Sequence, residues 1–309
     1  MNHFLNSIYW EKIKEALGNK VYKADGTWFQ TTKLPKLNKY IGYIPRADLN
    51  KIDLQEIYKV AKQHNCVYVS IDPDNLKDEI DFHEFVTRHS PLVIRKGRPT
   101  QLQATIVMDL TKREEDLLSA MKQKHRYNIK IAKKNNVEIK IDNSKEALNT
   151  FVKLHEETVS RQEYNDRDSN YIQKVWEVLN ELQVLSPEFE NHMPETFIAT
   201  AYFEGKALGS WFLIGYGDTL YYPYGGSSEE NKNVMANYLL VWEVIKFGQQ
   251  KGYKKLDLMG VLPDKSDGYS RFKVGFGGKE IEYADTIDIV INAPLYKIVK
   301  SLSFLRTFA

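Results

Sequence analysis

The sequence predicts an α/β protein made of two closely joined domains. The chain has 309 residues, and domains average about 150 residues, so the length favours two domains. Helical and strand-like hydrophobic patterns alternate along the chain, and 42% of its residues are hydrophobic, enough for a sizeable core. No Pro- or Ser-rich linker divides the sequence, so we expect the two domains to join directly.

The first half alternates helices with strands. Ser7 and Gly18 bracket the first helical pattern as its N-cap and its stop, and Asp72-Pro73 forms a turn at the end of an apolar strand. The predicted elements are helices at 7–17 and 53–64, strands at 66–71 and 103–110, and one long charged helix from 112 to about 135.

The second half is predicted to repeat this plan. A helix leads into a strand at 234–259, as one does at 53–71, which suggests a repeat. Tyr222 and Tyr224 are two residues apart on a predicted strand, so we expect both side chains on one face of the sheet. The predicted elements are helices at 145–160, 170–183 and 234–250, and strands at 137–141, 197–204, 206–215, 219–224 and 255–259.

The charge pattern points to a local polyanion site. The net charge is only +2, which excludes a polybasic coat or an acidic tail. Residues 121–134 nevertheless contain six cations and no acid. Contact with the phosphates of an RNA is one interpretation, and a solvated helix face with Ile129 and Ile131 packed inward is the other. The predicted RNA-binding cations are Lys122, Lys124, Arg126 and Lys130.

Several classes of protein are disfavoured by what the sequence lacks. No signal peptide or long apolar window is present, and the single cysteine, Cys66, lies in an apolar run, so we expect a soluble, cytoplasmic protein in a reducing compartment. The histidines and the cysteine lack metal-binding spacing, and no Gly-x-Ser-x-Gly motif occurs. We therefore predict no metal, no cofactor and no covalent intermediate.

Three polar residues lie at positions that often carry catalytic or ligand-binding groups. Asp72 follows a buried strand, a frequent position for ligand-binding groups, although a simple turn former is an alternative. Arg161 ends a helix, where a solvated arginine is the alternative. Lys273 lies between Phe272 and Phe276 before a glycine-rich turn, and flanking aromatics would limit its hydration.

Eight short blocks, in order from about residue 10 to about 290, resemble the Fem peptidyltransferases (FemA, FemB and FemX). Each block is weak alone, and their order makes the resemblance specific. They are Tyr43-Ile44-Pro45-Arg46, Ile71-Asp72-Pro73, Met108-Asp109-Leu110-Thr111, Lys124-His125-Arg126-Tyr127-Asn128-Ile129, Thr158-Val159-Ser160-Arg161, Tyr224-Gly225-Gly226-Ser227-Ser228, Leu256-Asp257-Leu258-Met259-Gly260-Val261 and Arg271-Phe272-Lys273-Val274-Gly275-Phe276-Gly277.

The resemblance implies two GNAT-like (acyl-CoA N-acyltransferase-like) domains packed together, each a mixed sheet flanked by helices. Residues 1–110 with 290–309 would form the first domain, on the acceptor side, and 111–289 the second. No sustained heptad run occurs, so the chain resembles the compact FemX type, which lacks a coiled-coil arm. The apolar and basic tail at 295–306 has two interpretations, contact with a membrane surface or packing against the first domain, and packing is favoured.

The activity implied by the resemblance is transfer of an amino acid from aminoacyl-tRNA to the side-chain amine of the third residue of a peptidoglycan stem peptide. The acceptor would be UDP-MurNAc-pentapeptide or a lipid-linked precursor, and the enzyme a monomer. An aminoacyl ester is already activated, so the amine can attack it directly. This agrees with the absence of metal-binding and nucleophile motifs.

Individual roles carry over at matching positions. Lys12 and Arg161 would bind the diphosphate of the acceptor, and Tyr43 and Tyr224 would line the acceptor site. Asp72 would lie near the attacking amine, where it orients or deprotonates it, and Phe272 with Lys273 would lie near the reacting ends of both substrates. The family's Pro-Arg-Gly-Pro segment is Pro45-Arg46-Ala47-Asp48 here, a departure at the acceptor side.

Two other functions remain open on the sequence alone. A GNAT-like acyl-CoA N-acyltransferase would use the same fold, but the sequence has no Arg/Gln-x-x-Gly-x-Gly/Ala loop for the pyrophosphate of CoA. A non-catalytic RNA-binding module built around residues 121–134 would bind RNA without Asp72 or Lys273.

Overall fold

The structure, a computed structural model, describes residues 3–162, 168–185 and 193–305. The chain forms two compact units: unit 1 contains residues 1–103 and 282–309, and unit 2 contains residues 104–281. Each unit is built on one mixed β-sheet with helices, which confirms the predicted α/β class. The units divide at 103/104 and 281/282 rather than at the predicted 110/111 and 289/290, because the strand at 104–109 pairs within the second sheet.

Unit 1 is a six-stranded sheet in the order β1-β2-β3-β4-β13-β5. Strands β3 and β4 run parallel and are joined by α2, and the other neighbours run antiparallel. The side chain of Ser7 caps α1, as predicted, by accepting a hydrogen bond from the Trp10 amide at 3.2 Å. The helices and strands of unit 1 are α1 (Ile8–Ala16), β1 (Lys20–Ala24), β2 (Thr27–Lys33), β3 (Tyr40–Ala47), α2 (Leu54–Gln63), β4 (Cys66–Pro73), α3 (Phe82–Arg88), β5 (Val93–Lys96), β13 (Ile287–Val290) and α10 (Ala293–Leu305).

Unit 2 is a seven-stranded sheet in the order β12-β6-β11-β10-β9-β8-β7. Strands β10 and β11 run parallel and are joined by the buried helix α8, the counterpart of β3, α2 and β4 in unit 1. The repeated plan suggested by the sequence is therefore confirmed. The elements are β6 (Ala104–Asp109), α4 (Glu114–Ala120), α5 (Gln123–Lys134), β7 (Glu138–Asp142), α6 (Lys145–Gln162), α7 (Ser169–Leu185), β8 (Glu195–Phe203), β9 (Lys206–Tyr216), β10 (Thr219–Ser227), α8 (Ala236–Gln250), β11 (Lys255–Val261), α9 (Gly268–Val274) and β12 (Lys279–Glu282).

The predicted long helix from 112 to about 135 is wrong, because the chain breaks it into α4 and α5. Met121 and Lys122 have extended backbones with ψ of 149° and 144°. The Arg126 guanidinium donates to the carbonyls of Met121 and, at 3.3 Å, Ser119. This cation satisfies carbonyls at the end of α4 that would otherwise lack helical partners.

The prediction that Tyr222 and Tyr224 share a face is also wrong. The pairing of β10 with β9 shifts register between Tyr221 and Tyr224, which reverses the alternation of side chains. Tyr222 stacks on Trp211 with ring centroids 3.6 Å apart, whereas Tyr224 contacts the ring of Phe212 at 6.0 Å. Trp211 and Phe212 are consecutive residues of β9 and point to opposite faces.

Helix α10 packs against strands β4 and β13 of its own unit. The ring of Tyr296 meets the ring of Tyr68 edge-on at 5.2 Å, and the Lys300 ammonium lies 2.7 Å from a buried carboxylate oxygen of Asp288. Residues 306–309, the end of the predicted tail, lie outside the described residues. In the ranges that the structure describes, every helix is too short or too polar to cross a bilayer.

Candidate active site

The carboxylate of Asp72, near the end of β4, accepts hydrogen bonds from four donors of unit 1. The side chain is 2% exposed. A carboxylate offers about four lone-pair positions. The donors are the hydroxyl of Thr286 at 2.5 Å, the hydroxyl of Tyr43 at 2.7 Å, and the amides of Gln101 at 2.9 Å and Thr100 at 3.2 Å. This arrangement orients groups around Asp72 and leaves little capacity for it to accept a proton from a substrate.

Burial, together with the charge of Asp72, raises the pKa of the Tyr43 phenol well above its ordinary value. Tyr43 therefore keeps its proton at neutral pH and donates it to Asp72. The Tyr43 residue as a whole is half-buried. Lys12, the other predicted acceptor-binding residue in unit 1, is exposed on α1.

Arg46 is a buried cation that the sequence analysis did not select, although it lies within the first resemblance block. Its guanidinium donates to the carbonyls of Pro73 at 3.1 Å and Leu102 at 2.6 Å. It also lies over the ring of Tyr283 at 3.6 Å. Arg46 thus joins the end of β4 to the segment whose amides reach Asp72.

Lys273, on α9, is a lysine whose side chain is buried in unit 2. It is 1% exposed, and its ammonium donates to the carbonyls of Met259 at 3.0 Å and Gly260 at 2.9 Å. The ring of Tyr269, 47% exposed, lies 3.9 Å from the ammonium. Burial lowers the pKa of Lys273 to about 7, a shift that the nearby charge of Asp257 opposes. A buried amine that titrates near neutrality is typical of functional sites.

An irregular segment of β11 presents the two carbonyls to Lys273. Pairing with β6 shifts register between Asp257 and Gly260, and Met259 has a φ of +57°. Asp257 accepts hydrogen bonds from the Met259 amide at 2.7 Å and from the Thr105 hydroxyl. A carboxylate that accepts a hydrogen bond from a threonine hydroxyl thus occurs in both units: Thr286, just before β13, donates to Asp72, and Thr105 of β6 donates to Asp257.

Phe272 is held by the basic helix α5. Its carbonyl accepts a hydrogen bond from Nε2 of His125 at 3.0 Å, so Nε2 carries the proton. Burial lowers the pKa of His125, which favours the neutral ring. The Lys122 amide also donates to the Gly275 carbonyl at 2.9 Å. The segment that carries Phe272 and Lys273 is therefore fastened directly to α5.

Arg161 contacts the end of β10, the strand that carries Tyr224. Arg161 donates to the carbonyl of Ser227 at 3.1 Å. Its guanidinium lies 3.2 Å from a carboxylate oxygen of Glu229. Tyr224 is buried between Phe212 and Tyr171. The predicted anion-binding arginine already holds an internal anion.

The predicted RNA-binding cations differ in their availability. Lys124 and Lys130 are exposed on α5, and Lys122 is exposed immediately before it. Arg126 is partly buried, and its guanidinium is occupied by the carbonyls at the end of α4. The three lysines therefore remain candidates for phosphate contact, whereas Arg126 has a structural role.

Comparisons with known proteins agree with the resemblance seen in the sequence. The FemAB family matches residues 41–186 and 190–303. A lipid II:glycine glycyltransferase of Staphylococcus haemolyticus is 23% identical over 87% of this chain and 81% of its own length. The aminoacyltransferase FemA of Staphylococcus epidermidis is 23% identical over 85% of this chain and 82% of its own length. A crystal structure of FemX shares the fold, with a TM-score of 0.79 at 18% identity over 96% of this chain and 94% of that one. The chain belongs to the FemAB family and is an acyl-transferring enzyme.

Proposed function

We propose that the protein is a tRNA-dependent aminoacyltransferase of peptidoglycan synthesis. It takes an amino acid from aminoacyl-tRNA and attaches it to the side-chain amine of the third residue of a precursor stem peptide. The relatives named as a lipid II:glycine glycyltransferase and as the aminoacyltransferase FemA support the substrate class. Aminoacyl-tRNA is a cytoplasmic donor, so we place the reaction in the cytoplasm. We also propose that the enzyme acts as a monomer.

The observation that carries this proposal is the attachment of a cation-rich helix to the segment that holds Lys273. The Gly275 carbonyl accepts a hydrogen bond from the Lys122 amide, and the Phe272 carbonyl accepts one from His125. A polyanionic donor bound on α5 would therefore be held by the element that positions Phe272 and Lys273. Alignment of this kind is a large part of what an enzyme supplies for transfer from an activated ester.

The chemistry is aminolysis of an ester. The amine nitrogen of the acceptor forms a bond to the ester carbonyl carbon, the bond from that carbon to the ribose oxygen breaks, and the proton lost by the amine ends on the released hydroxyl. The protein must favour an uncharged amine and stabilise the negative charge that develops on oxygen. We assign this stabilisation to the ammonium of Lys273.

We assign binding of the acceptor substrate to other residues. We assign Arg161 to the acceptor diphosphate, for which a guanidinium is a suitable bidentate partner. Tyr43 and Tyr224 remain predicted acceptor-binding residues. Asp72 holds Tyr43 in place and orients the neighbouring chain; its four donors argue against a role as the base.

Purified protein with radiolabelled aminoacyl-tRNA and UDP-MurNAc-pentapeptide tests the proposal. We expect label in the peptide, and Lys273→Ala should reduce kcat far more than it weakens binding of either substrate. Lys279→Ala, at an exposed lysine of β12, is the matched control and should retain full activity. A parallel reaction with a lipid-linked precursor identifies the preferred acceptor.

Two results would contradict the proposal. Transfer from acyl-CoA without transfer from aminoacyl-tRNA would favour the acyl-CoA N-acyltransferase. RNA binding that survives changes at both Asp72 and Lys273, with no transfer by the unaltered protein, would favour the RNA-binding module.

A further inference from the structure

We infer that the exposed face of α5 binds unpaired nucleotides, with the ring of Tyr127 stacking on a base and the lysines around it binding phosphates. This inference rests on the proposed function, and it names the part of the donor that α5 recognises: the unpaired 3′ end of the tRNA rather than the paired acceptor stem.

Tyr127 is the first observation. Among the large hydrophobic side chains that the structure describes, it is the most exposed, at 61%. The opposite face of α5 is buried through His125, Asn128, Ile129 and Ala132. The helix is therefore anchored in unit 2 without Tyr127, and packing does not account for an aromatic ring at this position.

The charges around Tyr127 are the second observation. Residues three and four positions away are its neighbours on a helix surface, which places Lys124 and Lys130 beside the ring. Both ammonium groups are exposed, and neither forms an ion pair with a carboxylate in the described ranges. Lys134 extends the same face by one further turn.

Lys124 and Lys130 do not serve the stability of α5. The first turn contains no acidic residue, although acidic groups are the ones that favour a helix N-terminus and cations there are unfavourable. Like charges at Arg126 and Lys130, and at Lys130 and Lys134, stand four residues apart, a spacing that destabilises a helix slightly. An external polyanion would relieve this repulsion.

The combination of ring and lysines favours a single strand. In a duplex the faces of the bases are covered by their neighbours, and phosphate contacts alone would suffice. Sites for single strands combine cations along the backbone with aromatic rings on which bases stack. The attachment of α5 to the Phe272 carbonyl would then place the end of the donor strand near the segment that holds Lys273.

Fluorescence anisotropy with a labelled RNA hairpin that mimics an acceptor stem tests the inference on the full-length protein. One hairpin carries a short unpaired 3′ tail, and the other ends flush. We expect the tailed hairpin to bind on the order of ten-fold more tightly, the range for stacking of one base on an aromatic ring. Tyr127→Ala should remove most of this preference, and Tyr127→Phe, which keeps the ring, should retain it.

The salt dependence tests the lysines. Lys130→Gln should reduce the slope of log affinity against log salt by about 0.7, the value for one phosphate of a single strand. Lys62→Gln, which removes an exposed lysine of α2, is the control and should leave slope and preference unchanged.

The outcomes separate this inference from the proposed function. Equal binding of the two hairpins, no effect of Tyr127→Ala, or equal competition by polyglutamate would overturn the inference, while transfer from aminoacyl-tRNA could still be observed. Tail-dependent binding without any transfer would uphold the nucleotide site and contradict the proposed function.

Discussion

The hydroxyl of Tyr43 donates a hydrogen bond to a carboxylate oxygen of Asp72 at 2.7 Å, across the parallel pair β3 and β4. Three further donors, from Thr100, Gln101 and Thr286, complete the surroundings of that carboxylate. Asp72 is therefore best understood as the group that fixes the position of Tyr43 and the geometry at the carboxyl end of β4.

Tyr43→Phe should destabilise unit 1. A hydrogen bond to a charged group is worth about 1.5 to 3 kcal/mol, so we expect a loss of about 2 kcal/mol in the free energy of unfolding, measured by urea denaturation. Tyr40→Phe is the control, because Tyr40 lies on the same strand and its hydroxyl makes no hydrogen bond within the described residues. Equal stabilities of the two variants would show that the bond to Asp72 contributes nothing.

Lys273 should make stability rise with pH. Its pKa is about 7 in the folded protein and near the ordinary value of 10.5 in the unfolded chain. Below pH 7 both states hold the proton, and the folded state bears the cost of a buried charge. Between these values the unfolded chain binds a proton that the folded protein has released, so the free energy of unfolding increases with pH.

Lys273→Met removes this titration and nearly keeps the side-chain volume. The difference in free energy of unfolding, unaltered protein minus variant, should therefore rise between pH 7 and pH 9. The rise is at most about 1.4 kcal/mol per pH unit. Parallel stability curves for the two proteins would show that Lys273 stays charged throughout this range.

Gly275→Ala should disrupt the contact between α5 and α9. A Cβ atom at this glycine would lie 1.9 Å from Cε1 and 2.0 Å from Nε2 of His125, so the ring must leave the Phe272 carbonyl. We expect a loss of about 2 kcal/mol by thermal unfolding and a lower kcat, since overpacking typically costs ~1 to 3 kcal/mol. Gly268→Ala is the control on the same helix: its nearest neighbour would be 3.9 Å away. Tolerance of both alanines would contradict this prediction.

Glu229→Gln should strengthen binding of the acceptor. The carboxylate of Glu229 occupies the guanidinium of Arg161 at 3.2 Å and would compete with a diphosphate. Because exposed ion pairs are weak, the gain should be modest, and we expect KM for UDP-MurNAc-pentapeptide to fall by up to about five-fold. Glu230→Gln, at the neighbouring carboxylate that pairs with Lys206, is the matched control. An unchanged KM in both variants would argue against Arg161 as the diphosphate ligand.

The sequence predicted about half of the elements from local patterns alone, and it missed β1 to β3, β5, β12 and β13. The apolar run before Asp72, the caps at Ser7 and Gly18 and the buried helix before β11 all have local causes, so periodicity was enough to find them. The break at Met121 and the bulge in β10 were missed. The break is held by the guanidinium of Arg126, a single polar contact, and the bulge belongs to the pairing of β10 with β9. Hydrophobic periodicity records neither.

What the sequence determined by itself was the α/β class, the position of the elements with strong local patterns, the cation run of α5 and the family to which the chain belongs. The tertiary structure decided what the polar residues do. Asp72 reads as a turn former until β13 lies beside β4 and brings Thr286 to its carboxylate. Lys273 reads as a basic residue between aromatics until the bulge of β11 offers it two carbonyls and burial lowers its pKa. Both outcomes depend on which strands become neighbours, a long-range property that no short segment specifies.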